Sequence, residues 1–184
     1  MNKYRVNEIF CSLQGEGYHT GTPAVFVRLS GCNLRCPFCD TDHSAGELMT
    51  AGEIAGNAAQ YSPRTLILTG GEPALQADRE LIDALHARGF TIHVETNGTR
   101  PLPEGIDWVT CSPKYEPVVL QRIDELKIVY QGQDVEAIAD SLPAAGHYFL
   151  QPCSGTNTAE VVRYILAHPR WRLSLQTHKL IYIR

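Results

Sequence analysis

The chain has 184 residues, 43% of them hydrophobic, which suffices to bury the core of one domain and not comfortably of two. Lys and Arg number 16 against 20 Asp and Glu, and the formal net charge of -4 argues against a general electrostatic grip on nucleic acid. Apolar runs are too short for a membrane-spanning helix, and the opening MNKYRVNEIFCSLQGEG lacks an apolar leader, which points to the reducing cytoplasm.

The first predicted strand is 23–30 (PAVFVRLS). Alternation puts Ala24, Phe26, Arg28 and Ser30 on one face and Val25, Val27 and Leu29 on the other. If the apolar face packs on helices, Arg28 points into the interior, where a guanidinium needs an anion: a substrate carboxylate, or an internal partner such as Glu16 or Glu95. A helix over 51–60 follows Thr50, with Glu53 completing a capping box. Strand 65–69 precedes a helix over 78–88 that carries Leu81, Ile82 and Leu85 on one face and stops at Gly89. Strand 90–95 leads into 96–106, where Pro101 and Pro103 exclude a full helix. Strands 107–111 and 124–130, a short helix over 134–140 and strand 147–151 come next. A helix over 158–168 follows Asn157, with Glu160 as box partner and Val161, Val162, Ile165 and Leu166 as its stripe. Strand 171–176 is last. Strands alternating with helices predict an α/β fold. We read residues 1–184 as a single domain, a partial parallel β/α barrel of about six strands with some crossover helices reduced to loops; an open doubly wound sheet is the alternative.

Most of these strands end in small or polar residues: Ser30-Gly31-Cys32, Thr69 to Glu72, Glu95-Thr96-Asn97, Ser112-Pro113-Lys114, Gln151 to Ser154, and Gln176-Thr177-His178. In parallel α/β folds the carboxyl ends of the strands form the active face, so these groups are expected at one mouth. Turn formation alone explains the Gly and Pro, but Glu95, Lys114 and Gln151 less well.

Three of the six cysteines lie in GCNLRCPFCDT, residues 31–41, spaced CxxxCxxC. Structural zinc takes four ligands and would need Asp42, His43 or a remote Cys as the fourth. Three close ligands suit a [4Fe-4S] cluster with one iron left open for chemistry. Cys11, Cys111 and Cys153 read as small core or pocket-wall residues.

CxxxCxxC after the first strand resembles the signature of the radical S-adenosylmethionine superfamily, and LTGGEP, residues 68–73, resembles its GGE motif. The resemblance implies a full or partial parallel barrel. It also implies an open iron that chelates S-adenosylmethionine, whose reductive cleavage yields a 5′-deoxyadenosyl radical. Gly70 and Gly71 permit close backbone approach, and Glu72 can accept from an ammonium group. Taken in order, SLQGEG, GCNLRCPFCDT, LTGGEP, VETNGT, CSPK, ELKIVY, FLQP and LSLQTHKLIYIR resemble the 7-carboxy-7-deazaguanine synthases within that superfamily, from about residue 7 to the last.

That closer resemblance implies conversion of 6-carboxy-5,6,7,8-tetrahydropterin to 7-carboxy-7-deazaguanine with loss of ammonia, by hydrogen abstraction and ring contraction. It assigns the cluster to Cys32, Cys36 and Cys39 and Mg²⁺ to Thr41. S-adenosylmethionine falls to Phe38, Cys39, Asp40, Gly71, Glu72, Ser112, Pro113, Lys114, Gln151, Pro152, Cys153 and Ser154. Substrate positions are Leu13, Gln14, Gly15, Arg28, Thr69 and the carboxylate of Arg184. It further implies a homodimer and a flavodoxin- or ferredoxin-type electron donor; the acidic balance, the lack of a basic run and the short apolar runs predict no direct partner among nucleic acids or membranes. A glycyl-radical activase shares the cysteine spacing but lacks the LQGEG, ETNGT and LQTHK segments.

Overall fold

The computed structural model describes residues 2–184. Among the described residues, nine strands form one sheet in the order β3-β1-β2-β4-β5-β6-β7-β8-β9. From β2 (Pro23–Leu29) through β4 (Thr65–Gly70), β5 (Thr91–Thr96), β6 (Trp108–Cys111), β7 (Glu125–Tyr130) and β8 (His147–Pro152) to β9 (Arg172–Leu173), every neighbour is parallel. The sheet does not close, since β3 and β9 stand at its two edges. Four crossovers carry helices: α1 (Ala51–Ala58), α2 (Arg79–His86), α3 (Val135–Asp140) and α4 (Thr158–Ala167). Residues 97–107 and 112–124 cross without one, so the expected trimming of crossovers holds at β5–β6 and β6–β7.

Alternation sorts the two faces of the sheet. Val25, Val27, Leu29, Leu66, Leu68 and Ile92 are fully buried against Ile54 of α1 and Leu81, Ile82 and Leu85 of α2. Burying each such side chain contributes about 1.5–3 kcal/mol, so this convex layer dominates stability. The Thr50/Glu53 capping box forms, with Glu53 N donating to Thr50 Oγ1 and Thr50 N to Glu53. The opposite, concave face carries the alternate positions, among them Arg28, Thr69, Glu95 and Lys127.

Several elements depart from expectation. Two strands, β1 (Lys3–Leu13) and β3 (Glu47–Thr50), extend the sheet antiparallel beyond β2. A bulge between Val6 and Glu8 hides β1 from a period-2 reading. Before it Tyr4 and Val6 face the core; after it Ile9 does, and Phe10 stacks on Phe26 at 5.0 Å. The strand expected over 171–176 keeps only two residues, and α5 (Thr177–Leu180) follows. Asn157 does not cap α4: its side-chain oxygen accepts from Cys153 N, and its amide donates to Tyr130 O. The α4 stripe is narrower than expected, since Leu166 is 79% exposed and Tyr164 packs on the core instead.

The loop from β1 to β2 closes as a hairpin, with Gln14 N donating to Thr22 O and Gly21 N to Gln14 O, each at 2.8 Å. It crosses the amino ends of the parallel strands. Tyr18 stacks on His147 and Trp108, and His19 packs on His93. This floor leaves the carboxyl ends of the strands as the way into the concave face.

Candidate active site

The cysteine loop leaves β2 and is tied down at both ends. Gly31 N donates to His43 O, and Gly31 O accepts from Glu72 N at the end of β4. A Cβ at Gly71 would collide with the Gly31 carbonyl, so only glycine allows the two strand ends to meet. Within the loop, Cys39 N donates to Cys36 O and Leu34 N to Cys32 Sγ. Cys32 and Cys36 are half-buried, Cys39 is exposed, and all three are free thiols lining one cavity of about 410 Å³. Burial pushes the Cys32 and Cys36 thiols up, so thiolates there call for a cationic centre, and three soft sulfur donors suit iron–sulfur ligation.

The strand ends converge on this cavity as their polar character predicts. Phe38, Asp40, Thr41, Thr69, Gly71, Ser112, Lys114, Gln151, Pro152, Cys153 and Ser154 all line it. Lys114 donates to Ser112 Oγ at 2.8 Å and lies over the Phe38 ring at 5.6 Å. Burial pushes its ammonium below the usual lysine range. Asp40 is already engaged, by Lys179 and by Gln176 Nε2 at 3.1 Å.

Two expected residues lie outside the cavity lining: Pro113 and Glu72. Glu72 is fully buried, and its carboxylate accepts from Thr96 Oγ1 at 2.6 Å, Asn97 N at 2.7 Å and Ala74 N at 3.0 Å. It joins the end of β4 to the end of β5, and the carboxylate expected to accept from an ammonium group of a ligand here accepts from these three internal donors.

A smaller pocket of about 220 Å³ adjoins the first and shares Glu16, Asp40, Thr41, Thr69, Gly70, Glu95 and Gln176 with it. Leu13, Gln14, Gly15, Arg28 and Arg184 line it, so the N-terminal motif, the first parallel strand and the chain end meet there. A Cβ at Gly15 would strike the His178 ring. Arg28 does point into the interior, but its partner is neither Glu16 nor Glu95. Its Nε donates to Glu8 at 2.8 Å, across the β1–β2 ladder, and its Nη1 reaches Thr41 Oγ1 at 3.5 Å. Arg184 pairs with Glu8 as well, and its backbone oxygen accepts from Ser12 Oγ.

Lys127, to which no motif assigned a role, completes the wall between the pockets with Glu16 and Glu95. Lys127 Nζ donates to Glu16 at 2.7 Å and to Glu95 at 2.9 Å. The signal was present in ELKIVY, where Glu125 and Lys127 alternate with Leu126 and Ile128 and so must share the polar face of a buried strand. Of the remaining cysteines, Cys111 is core, Cys153 lines the large cavity, and Cys11 is exposed on β1 rather than in a wall.

Residues 26–168 match the Radical SAM superfamily. The 7-carboxy-7-deazaguanine synthase of Bacteroides thetaiotaomicron is 62% identical over 181 residues, 98% of each chain. That of Bordetella pertussis is 44% identical, over 97% of this chain and 98% of its own. The crystal structure of QueE from Escherichia coli superposes with a TM-score of 0.79 at 32% identity, covering 96% of this chain and 95% of that one. Three thiols at the carboxyl end of the first parallel strand, an open parallel sheet and near-full-length likeness agree: the chain belongs to the radical SAM superfamily and, within it, to the 7-carboxy-7-deazaguanine synthases.

Proposed function

We propose that residues 1–184 act as one domain that converts 6-carboxy-5,6,7,8-tetrahydropterin to 7-carboxy-7-deazaguanine with loss of ammonia. The observation that carries this reading is the pair of adjoining pockets: one holds the three thiols, the other holds Arg28 and the chain end, and a polar wall joins them. Cys32, Cys36 and Cys39 would hold the [4Fe-4S] cluster that superfamily membership brings. Phe38, Cys39, Asp40, Gly71, Ser112, Lys114 and residues 151–154 would frame S-adenosylmethionine. When bound, this pair supplies one-electron chemistry that takes a hydrogen atom from the substrate.

The protein's part is binding and orientation. Arg28 spends its Nε on Glu8 and touches Thr41 through Nη1 only at 3.5 Å, which leaves Nη2 and the second Nη1 hydrogen for a substrate carboxylate. Leu13, Gln14 and Gly15 border the pterin, and Thr69 offers a hydroxyl. The Thr41 hydroxyl has one partner, at the long limit of 3.5 Å, so its oxygen is open to Mg²⁺. The electron donor would be of the flavodoxin or ferredoxin type, and the active species a cytoplasmic homodimer that touches neither nucleic acid nor membrane. Among the described residues no helix is long and apolar enough to cross a membrane.

Reduced, reconstituted protein given S-adenosylmethionine and the carboxypterin is expected to form the deazaguanine acid and ammonia in equal amounts. Cleavage of S-adenosylmethionine without that product would point instead to an activase. Arg28→Met is expected to raise the KM for the carboxypterin by roughly a hundred-fold, the worth of a charge-assisted bidentate contact, with a much smaller effect on that for S-adenosylmethionine. An unchanged pterin KM would remove Arg28 from the substrate pocket.

A further inference from the structure

Lys127 stands on the concave face of β7 and is 4% exposed. Its ammonium meets one oxygen of Glu16, from the β1–β2 loop, and one oxygen of Glu95, from β5. The second oxygen of each acid is met by a glutamine amide. Gln176 Nε2 donates to Glu16 Oε1 at 2.9 Å, and Gln14 Nε2 to Glu95 Oε1 at 3.1 Å. Both acids stay about one-fifth exposed, and each borders both pockets. A carboxylate offers about four lone-pair directions, so each acid keeps acceptor capacity for a ligand. One cation set between two anions leaves the trio with a net negative charge at the pocket wall.

We propose that Lys127 is a positioning residue, which keeps Glu16 and Glu95 ionised and fixed in orientation so that both present acceptors to the N–H edge of a bound pterin. This rests on the substrate reading above. Two acids so close together, each about four-fifths buried, cannot both stay charged without a cation between them. Burial works against the Glu16 carboxylate, yet Lys127 and Gln176 hold it below its ordinary range; Glu95, buried and repelled by Glu16, stays above even with Lys127 beside it. The other titratable groups facing the trio are Glu125 on β7, Lys114 beyond β6 and His178 of α5. Asp40 is reached through Gln176. Of these only Lys114 is a second lysine, and it points to Ser112 rather than to either acid.

Removal of Lys127 leaves only the two glutamine amides and more distant groups to oppose burial and mutual repulsion, and one acid then takes up a proton at a higher pH than in the parent. In Lys127→Met, kcat/KM for the carboxypterin is expected to fall about a hundred-fold at pH 7, mostly through KM. Its acidic limb should move up by at least one pH unit, so that raising the pH recovers activity. Lys127→Arg, which keeps the cation, is expected to return that limb to the parent position and to recover at least ten-fold of the loss. Iron content and visible absorbance serve as the check on folding. If Lys127→Met fails that check, Lys127→Arg decides: a limb at the parent position with a KM within about ten-fold of the parent supports the proposal, and a displaced limb or a larger loss overturns it. A Lys127→Met loss equal at every pH, or confined to kcat, reduces Lys127 to a structural part and overturns the proposal. If the parent chain forms no deazaguanine acid, the substrate reading fails and this inference fails with it.

Discussion

Cys36→Ala is expected to yield a folded chain that holds little iron, lacks the brown absorbance of a cluster and cleaves S-adenosylmethionine at the background rate. The three thiols lie in one loop, and Cys32 and Cys36 are half-buried, so a gap left at Cys36 cannot be filled from solvent by another soft donor. Loss of a residue that merely supports a ligand typically costs 10- to 100-fold in metal affinity or activity. Loss of a ligand among three costs more. Cys111→Ala and Cys153→Ala are the controls. Cys111 is a core residue whose thiol burial pushes up to about 12, and it is expected to leave the iron content unchanged. Cys153 lines the same cavity as the loop, so its control is the sharper one. If Cys153→Ala lost iron as Cys36→Ala does, a fourth sulfur would occupy the position that substrate chemistry needs open.

Much of this arrangement was legible because it is local. The strands from 65–69 to 147–151 announce themselves as short β-branched runs, and the Thr50/Glu53 cap needs only three residues of context. The placement of the thiols at a strand end follows from one motif read beside one strand. What escaped the sequence is what depends on partners far along the chain. Strand β1 was hidden because its bulge reverses which residues face the core, so Tyr4 and Val6 fall on one side and Ile9 joins them from the other parity. Arg28 could be placed inside, but Glu8 became its partner through an antiparallel ladder that was itself unseen. The motif reading gave Glu72 to a ligand, whereas Thr96, Asn97 and Ala74 already occupy its carboxylate. The Glu16–Lys127–Glu95 wall draws on a loop and two strands, and no spacing rule connects them.

The floor of the sheet gives a second large effect, on stability rather than turnover. Glu125 is 2% exposed: Tyr18 N donates to its Oε2 at 3.0 Å, and among the described residues its Oε1 has no partner. Burial, helped by repulsion from Glu95 and Glu16, pushes its carboxyl up to about 7 against the pull of Lys127 and the Tyr18 amide. Between pH 4.5 and about 7 the unfolded chain therefore ionises this residue while the folded chain keeps its proton. Its contribution to stability falls as pH rises, by about 3 kcal/mol across that window. His93, packed on His19 and Trp108 in the same floor, runs the other way. Burial first, and His19 second, bring its ring down to about 4, so between about 4 and 6.5 only the unfolded chain binds the proton. Its contribution rises with pH by about 3 kcal/mol. In the overlap the two nearly cancel, which leaves both groups neutral in a dry floor. Single substitutions unmask them. The stability of Glu125→Gln relative to the parent is expected to climb by about 3 kcal/mol from pH 4.5 to 7, and that of His93→Phe to fall by a similar amount from pH 4 to 6.5. Anaerobic urea unfolding of parent and variants side by side, between pH 5 and 8, reads most of both changes. Differences from the parent that stay constant over that range would mean that water reaches the floor and that Glu125 ionises like an ordinary surface acid.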